Sequence, residues 1–488
     1  MQRYSAALDL FLRPAREAMR DVPMLPGAAP VRAAVAAMAE SGTSIVLALD
    51  PSGALSGVLT ERDIVTRVAF KADPNAPLST LTTKAPLTAP PDEPLYRVIA
   101  LLRRQGFRHV PVVERDGTPL GVIARADALA AVSARLLAEL DVLGKLGHGL
   151  DDHIAAKRAQ AAFARALLHD GLPAPDIQRA ISEINRDIHR DLLESAIAAM
   201  EAEGKGKPPV EFTLLIMGSG GRGESFLAPD QDNGFLLADY PDDQHTRIDA
   251  WFVELASRFT AALDKAGFTL CKGDVMATNP LWRKTRTQWK DQIAVWIRRR
   301  SPVALLYADI FFDFAPSWGD PAPALELRRH VAELLARERG FLHAMLGEDR
   351  RLGVALGFFG GLKATGTGEH AGEIDLKING TMPLVSSARI WALAKGVEAT
   401  GTRERLDALA RLDVVSSTEA VELAEAFETV TFVLLRGQLN DAAEGKAPDN
   451  FVRPDEMDKR EREKLVDALK AIDRFAARTR AEFTGKLI

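Results

Sequence analysis

Residues 211–239 read EFTLLIMGSGGRGESFLAPDQDNGFLLAD. The apolar run 212–217 is expected to form a buried strand. Gly218 and Ser219 end it in a tight turn, where glycines let backbone come close to a ligand. Asp230-Gln231-Asp232 follows and leads into a second apolar strand, 234–238. Residues two apart in an extended segment point to the same side. Asp230 and Asp232 are therefore expected to aim both carboxylates at one cation. Mg²⁺ is bound in this way, through one or two carboxylates plus substrate phosphates. Gly218 and Ser219 are candidates to hold those phosphates through backbone and hydroxyl, and Arg222 to add a charge-assisted contact.

The segment resembles the nucleotidyltransferases of the DNA polymerase β superfamily, marked by G-[GS] followed at this distance by D-x-D. The RGE after Gly-Ser is similar to the subgroup containing the uridylyltransferase that modifies PII signalling proteins. It is closer still to a bacterial family of signal-transduction proteins that place this domain behind CBS modules. CKGDVMATNPLW (271–282), IFFDFAPSWGD (310–320) and IDLKINGTMPLVSSARIWAL (374–393) match that family too. The resemblance implies transfer of a nucleoside monophosphate from an NTP to an acceptor, with Mg²⁺ on Asp230 and Asp232. It implies nucleotide binding by Gly218, Ser219, Arg222 and Glu224, and a third metal-binding, catalytic carboxylate from a later strand. Asp313 is the first choice, because a charge in an apolar run is costly without a partner. Asp309 and Asp274 are the alternatives.

The front of the chain carries an internal repeat. Residues 41–65 align without gaps onto 105–129, matching Gly53 with Gly117, Gly57 with Gly121 and Asp63 with Asp127. Each copy reads helix (31–39; 95–104), strand (45–49; 110–113), turn, strand (57–59; 121–123), then a helix opened by TERD or ARAD. Thr60 suits an N-cap, and Asp63 favours the positive end of the helix. GVLTERDIV (57–65) and RHVPVVERDGTPLGVIARADAL (108–129) resemble the CBS domain family. That resemblance implies a pair with an adenine nucleotide in its cleft, contacted by Thr60 and Asp63. In the second copy Ala124 replaces the threonine and only Asp127 remains. CBS pairs often associate, so a homodimer is expected.

The fold class expected is α+β, in four parts: a tandem CBS pair (1–137), a helical connector (138–207), a polymerase-β-like nucleotidyltransferase domain (208–320) and a helical substrate-binding bundle (321–488). In the third part, Trp282, Trp289 and Trp296 recur every seven residues and are expected on one helix face. In the last, Asp375 and Lys377, and Arg436 and Gln438, interrupt apolar runs and are candidates to face the cleft. The 488 residues carry a net charge of -5 and 6% aromatics, which argues against a nucleic-acid partner; the resemblance to signal-transduction nucleotidyltransferases implies a protein side chain as the acceptor. A lone cysteine, Cys271, fits a reducing cytoplasm. No stretch is apolar enough for a secretion signal or a membrane span.

Overall fold

The computed structural model describes residues 13–68, 73–105, 107–125, 128, 149–169, 171–348, 353–358 and 360–484. The chain divides into two units, Met1–Leu146 and Gly147–Ile488.

In the first unit, β1 (Met24–Pro26), β2 (Ile45–Leu49), β3 (Leu55–Thr60) and β4 (Thr83–Lys84) form one sheet in that order, and β5 (His109–Val113) pairs with β6 (Pro119–Ala124). Helix α1 (Val31–Ser41) precedes β2, and α2 (Leu95–Arg104) precedes β5. The sequence repeat is a structural one. Ile45 faces Thr60 in one hairpin and His109 faces Ala124 in the other, and the register slips at the same point in both. Gly53 and Gly117 turn the two hairpins at φ +90° and +91°, a left-handed conformation that side chains resist.

The second unit opens with α3 (Leu150–His169) and α4 (Ala174–Ala202). Then come β7 (Phe212–Ile216), β8 (Asn233–Leu237), α5 (His245–Ala266), β9 (Arg283–Thr285), α6 (Arg286–Arg299), α7 (Pro302–Phe311) and β10 (Ala315–Trp318). The sheet order is β10-β7-β8-β9, with β8 and β9 parallel and the other pairs antiparallel. Both faces of this sheet are covered, which explains the continuous apolar runs of β7 and β8. Phe212 and Phe235 meet Phe252 of α5 at 5.1 and 6.1 Å. Leu215 and Leu236 join the opposite core, which holds Trp282, Trp289, Trp296 and Phe311. Those tryptophans cluster as expected, but not along one helix. α6 starts at Arg286 behind the N-cap Thr285, and Trp282 lies ahead of it.

Residues 149–202, read as connecting modules, are built into this unit, α4 against α5 and against the later helix Ser417–Ala443. α4 buries Gln178, Ser182, Asn185 and His189 along with its Ile and Leu stripe. The rest is mostly helical: α8 (Ala322–Leu335), α9 (Arg339–Glu348), α10 (Met382–Ala394), α11 (Thr402–Arg411), α12 (Ser417–Ala443) and α13 (Lys459–Thr484), with a small hairpin of β11 (Ile374–Asp375) and β12 (Phe451–Val452). No helix among the described residues is long and apolar enough to cross a membrane.

Candidate active site

The Gly218–Arg222 turn follows β7 directly, and β8 starts just beyond Asp232. Met217 N–H donates to Asp232 O at 2.9 Å, which clamps the two ends together. The D-x-D segment alternates as an extended chain should. Gln231 is fully buried and donates from Nε2 to Phe268 O at 3.0 Å. Asn233, also fully buried, accepts Ala277 N–H at 3.0 Å. Asp230 and Asp232 point the other way and line one small cavity of about 20 Å³, with Met217, Gly220 and Phe268. That volume suits a water, a bare ion or a single phosphate oxygen reaching in, not a whole nucleotide. Asp230 is exposed, so the carboxylate pair also meets solvent.

Gly218 makes the approach possible. Its φ is +55°, and a Cβ there would lie 2.6 Å from Asp232 Oδ2. Desolvation pushes the Asp232 carboxyl above its usual range; Asp230 adds to that, against a hydrogen bond from the Cys271 thiol and the pull of Lys377 and Arg222. Burial and Asp232 together push the Cys271 thiol up to about 11, so it stays protonated and donates. Among the described residues no lysine or arginine forms an ion pair with Asp230 or Asp232. Two neighbouring carboxylates, one desolvated and neither ion-paired, form a site that a divalent cation fits. Ser219 is partly exposed on the turn, and its carbonyl accepts Glu224 N–H at 2.9 Å.

The remaining expected residues lie elsewhere. Asp313 is fully buried and does not line the cavity. Its Oδ2 accepts from Arg222 at 2.7 Å and Arg389 at 2.6 Å, and its Oδ1 from Arg405 at 2.6 Å. Burial alone would raise its carboxyl; Arg389, Arg405 and Arg222 more than reverse that and hold it well below the usual carboxylate range. Both oxygens are occupied by guanidinium groups, so Asp313 is the hub of an ion cluster and has no position left for a metal. Arg222 and Glu224 belong to the same cluster. Arg222 Nε donates to Glu224 at 2.6 Å, and the other Glu224 oxygen accepts the first N–H of α11, from Thr402, at 2.6 Å. The R-x-E motif therefore braces the glycine turn against α11.

The alternatives fare no better. Asp309 is held by Arg389, and Asp274 sits at φ +54° with Asn279 donating to it at 3.0 Å. Among the described residues no group of three or more His, Cys, Asp or Glu side chains is arranged for a metal. Gln438 accepts Leu227 N–H at 3.1 Å, and neither residue lines the cavity. Asp375 caps Ile378 N–H at 2.9 Å.

One wall was not anticipated. Ser182, Asn185, Arg186 and His189 of α4 line the same cavity as the carboxylates. Their spacing of three, one and three residues is a helix face, and that polar face was present in the sequence.

In the first unit, Thr60 and Asp63 form a capping box: Thr60 N–H donates to Asp63 at 3.0 Å, and Asp63 N–H to Thr60 Oγ1 at 3.4 Å. Both residues line a cavity of about 280 Å³, walled also by Ser44, Phe107 and His109. Ser44 Oγ lies 2.9 Å from His109 Nε2, a bond between the two repeats. Asp127 lies outside the described residues.

Three family models match this chain. Residues 15–69 and 78–134 match the CBS domain. Residues 158–303 match "Putative nucleotidyltransferase DUF294", and residues 339–483 match "Putative nucleotidyltransferase substrate binding domain". The nucleotidyltransferase match begins inside α3 and so includes α4. An A-adding tRNA nucleotidyltransferase of Aquifex aeolicus is 30% identical over 106 residues, 22% of this chain and 12% of that protein. An uncharacterised 17.7 kDa protein of Acidianus ambivalens is 26% identical over 95 residues, 20% of this chain and 57% of that protein. The chain thus spans only part of the length of these curated relatives. A CBS domain protein from Pyrobaculum aerophilum, solved in complex with AMP, is 26% identical, with 26% of this chain and 96% of that one covered and a TM-score of 0.24.

Proposed function

We propose that this protein is a Mg²⁺-dependent nucleotidyltransferase. It moves a nucleoside monophosphate from an NTP to an acceptor, a protein side chain, in a signalling role akin to that of the PII uridylyltransferase. The observation that carries this reading is the pair Asp230 and Asp232, turned to one side and left without an ion-pair partner beside a turn whose Gly218 has no Cβ. The two carboxylates would hold Mg²⁺, which when bound neutralises charge that develops on the phosphates. Gly218 and Ser219 would position the phosphate chain. The acceptor oxygen bonds to the α-phosphorus, pyrophosphate leaves, and the acceptor gives up its proton. A net charge of -5 disfavours a nucleic acid in the acceptor's place.

The CBS cavity, with Thr60 and Asp63 on its wall, would take an adenine nucleotide and regulate the transfer, in a homodimeric cytoplasmic protein. Such regulation is reciprocal: the CBS ligand must change NTP affinity by the factor by which NTP changes the CBS ligand's affinity, about 5–150-fold in typical cases. The test is incubation with α-labelled NTPs and native cell extract. Label transferred to a protein by the wild type, and not by Asp230→Asn, is the expected result.

A second reading has one observation in its favour. With Asp313 bound by guanidinium groups, the site keeps two carboxylates where the superfamily resemblance implies three. A regulatory protein that binds nucleotide without turnover would meet that description. It predicts NTP binding with no pyrophosphate release.

A further inference from the structure

The polar face of α4 runs along the glycine turn and holds its backbone. Gln178 Nε2 donates to Glu224 O at 3.0 Å, Ser182 Oγ accepts Ser225 N–H at 2.9 Å, and Arg186 Nη2 donates to Gly220 O at 3.0 Å. Two donors on this face remain over. Asn185 is 4% exposed; its Oδ1 accepts from Gln160 at 2.7 Å and Lys157 at 3.4 Å, yet its Nδ2 has no partner. Arg186 uses Nη1 on Glu183 and Nη2 on the turn, and its buried Nε has no partner. Buried donors left without a partner cost about 1–3 kcal/mol each. Here two such donors occur on adjacent residues, and both residues line the cavity of Asp230 and Asp232.

We propose that Asn185 and Arg186 bind phosphate oxygens of the nucleotide whose metal is held by Asp230 and Asp232. This rests on the nucleotidyltransferase reading and adds a cationic contact from the cavity wall to those of Lys377 and Arg222 near Asp232. Arg222 is already committed to the turn's own framework, through Nε to Glu224 and through Nη1 to Asp313. The chemistry fits on both sides. An amide N–H and a guanidinium N–H complement an oxyanion, whereas the neighbouring carboxylates would repel one without a cation between them. It also gives α4 a functional role, since the wall of the site then comes from a helix that precedes β7 in the chain.

The test uses the full chain and Mg²⁺-tripolyphosphate as a probe that carries no base. Calorimetry counts the heat that is lost in Asp230→Asn. Asn185→Asp, which keeps the acceptor toward Gln160 and Lys157, and Arg186→Gln are each expected to weaken binding about 10-fold or more. Arg186→Lys should recover part of that loss. Arg190→Gln, one residue beyond the lining face, should bind like the wild type, and thermal melts should show all four variants folded. Wild-type affinity in both Asn185→Asp and Arg186→Gln, with binding still dependent on Asp230, would overturn this assignment alone. Absence of tripolyphosphate binding by the wild type would overturn the nucleotidyltransferase reading and this assignment with it.

Discussion

Arg222 Nη1 donates to Asp313 Oδ2 at 2.7 Å, and the pair is buried, at 9% and 0% exposure. It links the glycine turn to the end of α7, while Arg389 and Arg405 bind the same carboxylate from α10 and α11. Taking away one partner of such a cluster leaves uncompensated buried charge, which costs about 3–5 kcal/mol. Asp313→Asn is therefore expected to lower unfolding stability by that amount in a denaturant titration. Asp230→Asn, at an exposed carboxylate without an ion pair, should stay within about 0.5 kcal/mol of the wild type. Asp313→Asn as stable as Asp230→Asn would contradict a structural role for the Asp313 cluster.

Two neighbouring glycines should fail in different ways. A Cβ at Gly218 meets the Asp232 carboxylate, whereas one at Gly221 meets the Asp313 backbone carbonyl. Gly218→Ala is expected to fold but bind Mn²⁺, used as a spectroscopic stand-in for Mg²⁺, at least about 10-fold more weakly, because the displaced carboxylate is a ligand. Gly221→Ala should lose stability, since backbone cannot move aside as a side chain tip can. Equal metal affinity in Gly218→Ala and wild type would count against Asp232 as a ligand.

Much of this site was legible in the sequence, for a definable reason. A strand, a glycine turn and a two-residue alternation are local signals, so the outward turn of Asp230 and Asp232 and the burial of Gln231 between them follow from short-range geometry. The place of Asp313 does not. An aspartate in an apolar run calls for a partner, but metal and guanidinium satisfy that demand equally, and the partners Arg389 and Arg405 lie 76 and 92 residues along the chain. Arg222 and Glu224 escaped for the same reason. On α4 the Ile and Leu stripe was the stronger signal. The polar face of Ser182, Asn185, Arg186 and His189 beside it becomes meaningful only once α4 packs along the turn.

The buried His189 sets a pH dependence. Burial lowers its pKa from 6.5 to about 4, helped by Lys157 and Arg186 and opposed by its hydrogen bond to Asn185 O. The folded state binds this proton less readily than the unfolded one. Stability is therefore fully present above about 6.5 and falls as pH drops from there to about 4, by on the order of 3 kcal/mol at most. His189→Gln should flatten that part of the stability–pH curve in melts recorded from pH 7 to 4.5. An unchanged slope would mean that other groups cause the acid loss.

In the CBS unit, Thr60→Ala removes the cap that accepts Asp63 N–H and is expected to cost about 1 kcal/mol. Asp63→Ala should abolish AMP binding in calorimetry on the full chain, if the cavity bordered by Thr60 and Asp63 takes an adenine nucleotide. Retained AMP affinity in Asp63→Ala would remove that residue from the ligand site.

On the proposed function, Asp230 and Asp232 make this fold an enzyme. That role is tested most directly by pyrophosphate release from NTPs in native extract, with Mg²⁺ present or chelated, for the wild type, Asp230→Asn and Asp232→Asn. Mg²⁺-dependent release by the wild type and background release by both variants are expected, with melting temperatures at or above that of the wild type. Release that persists in either folded variant, or wild-type release at background with every NTP, would contradict that role.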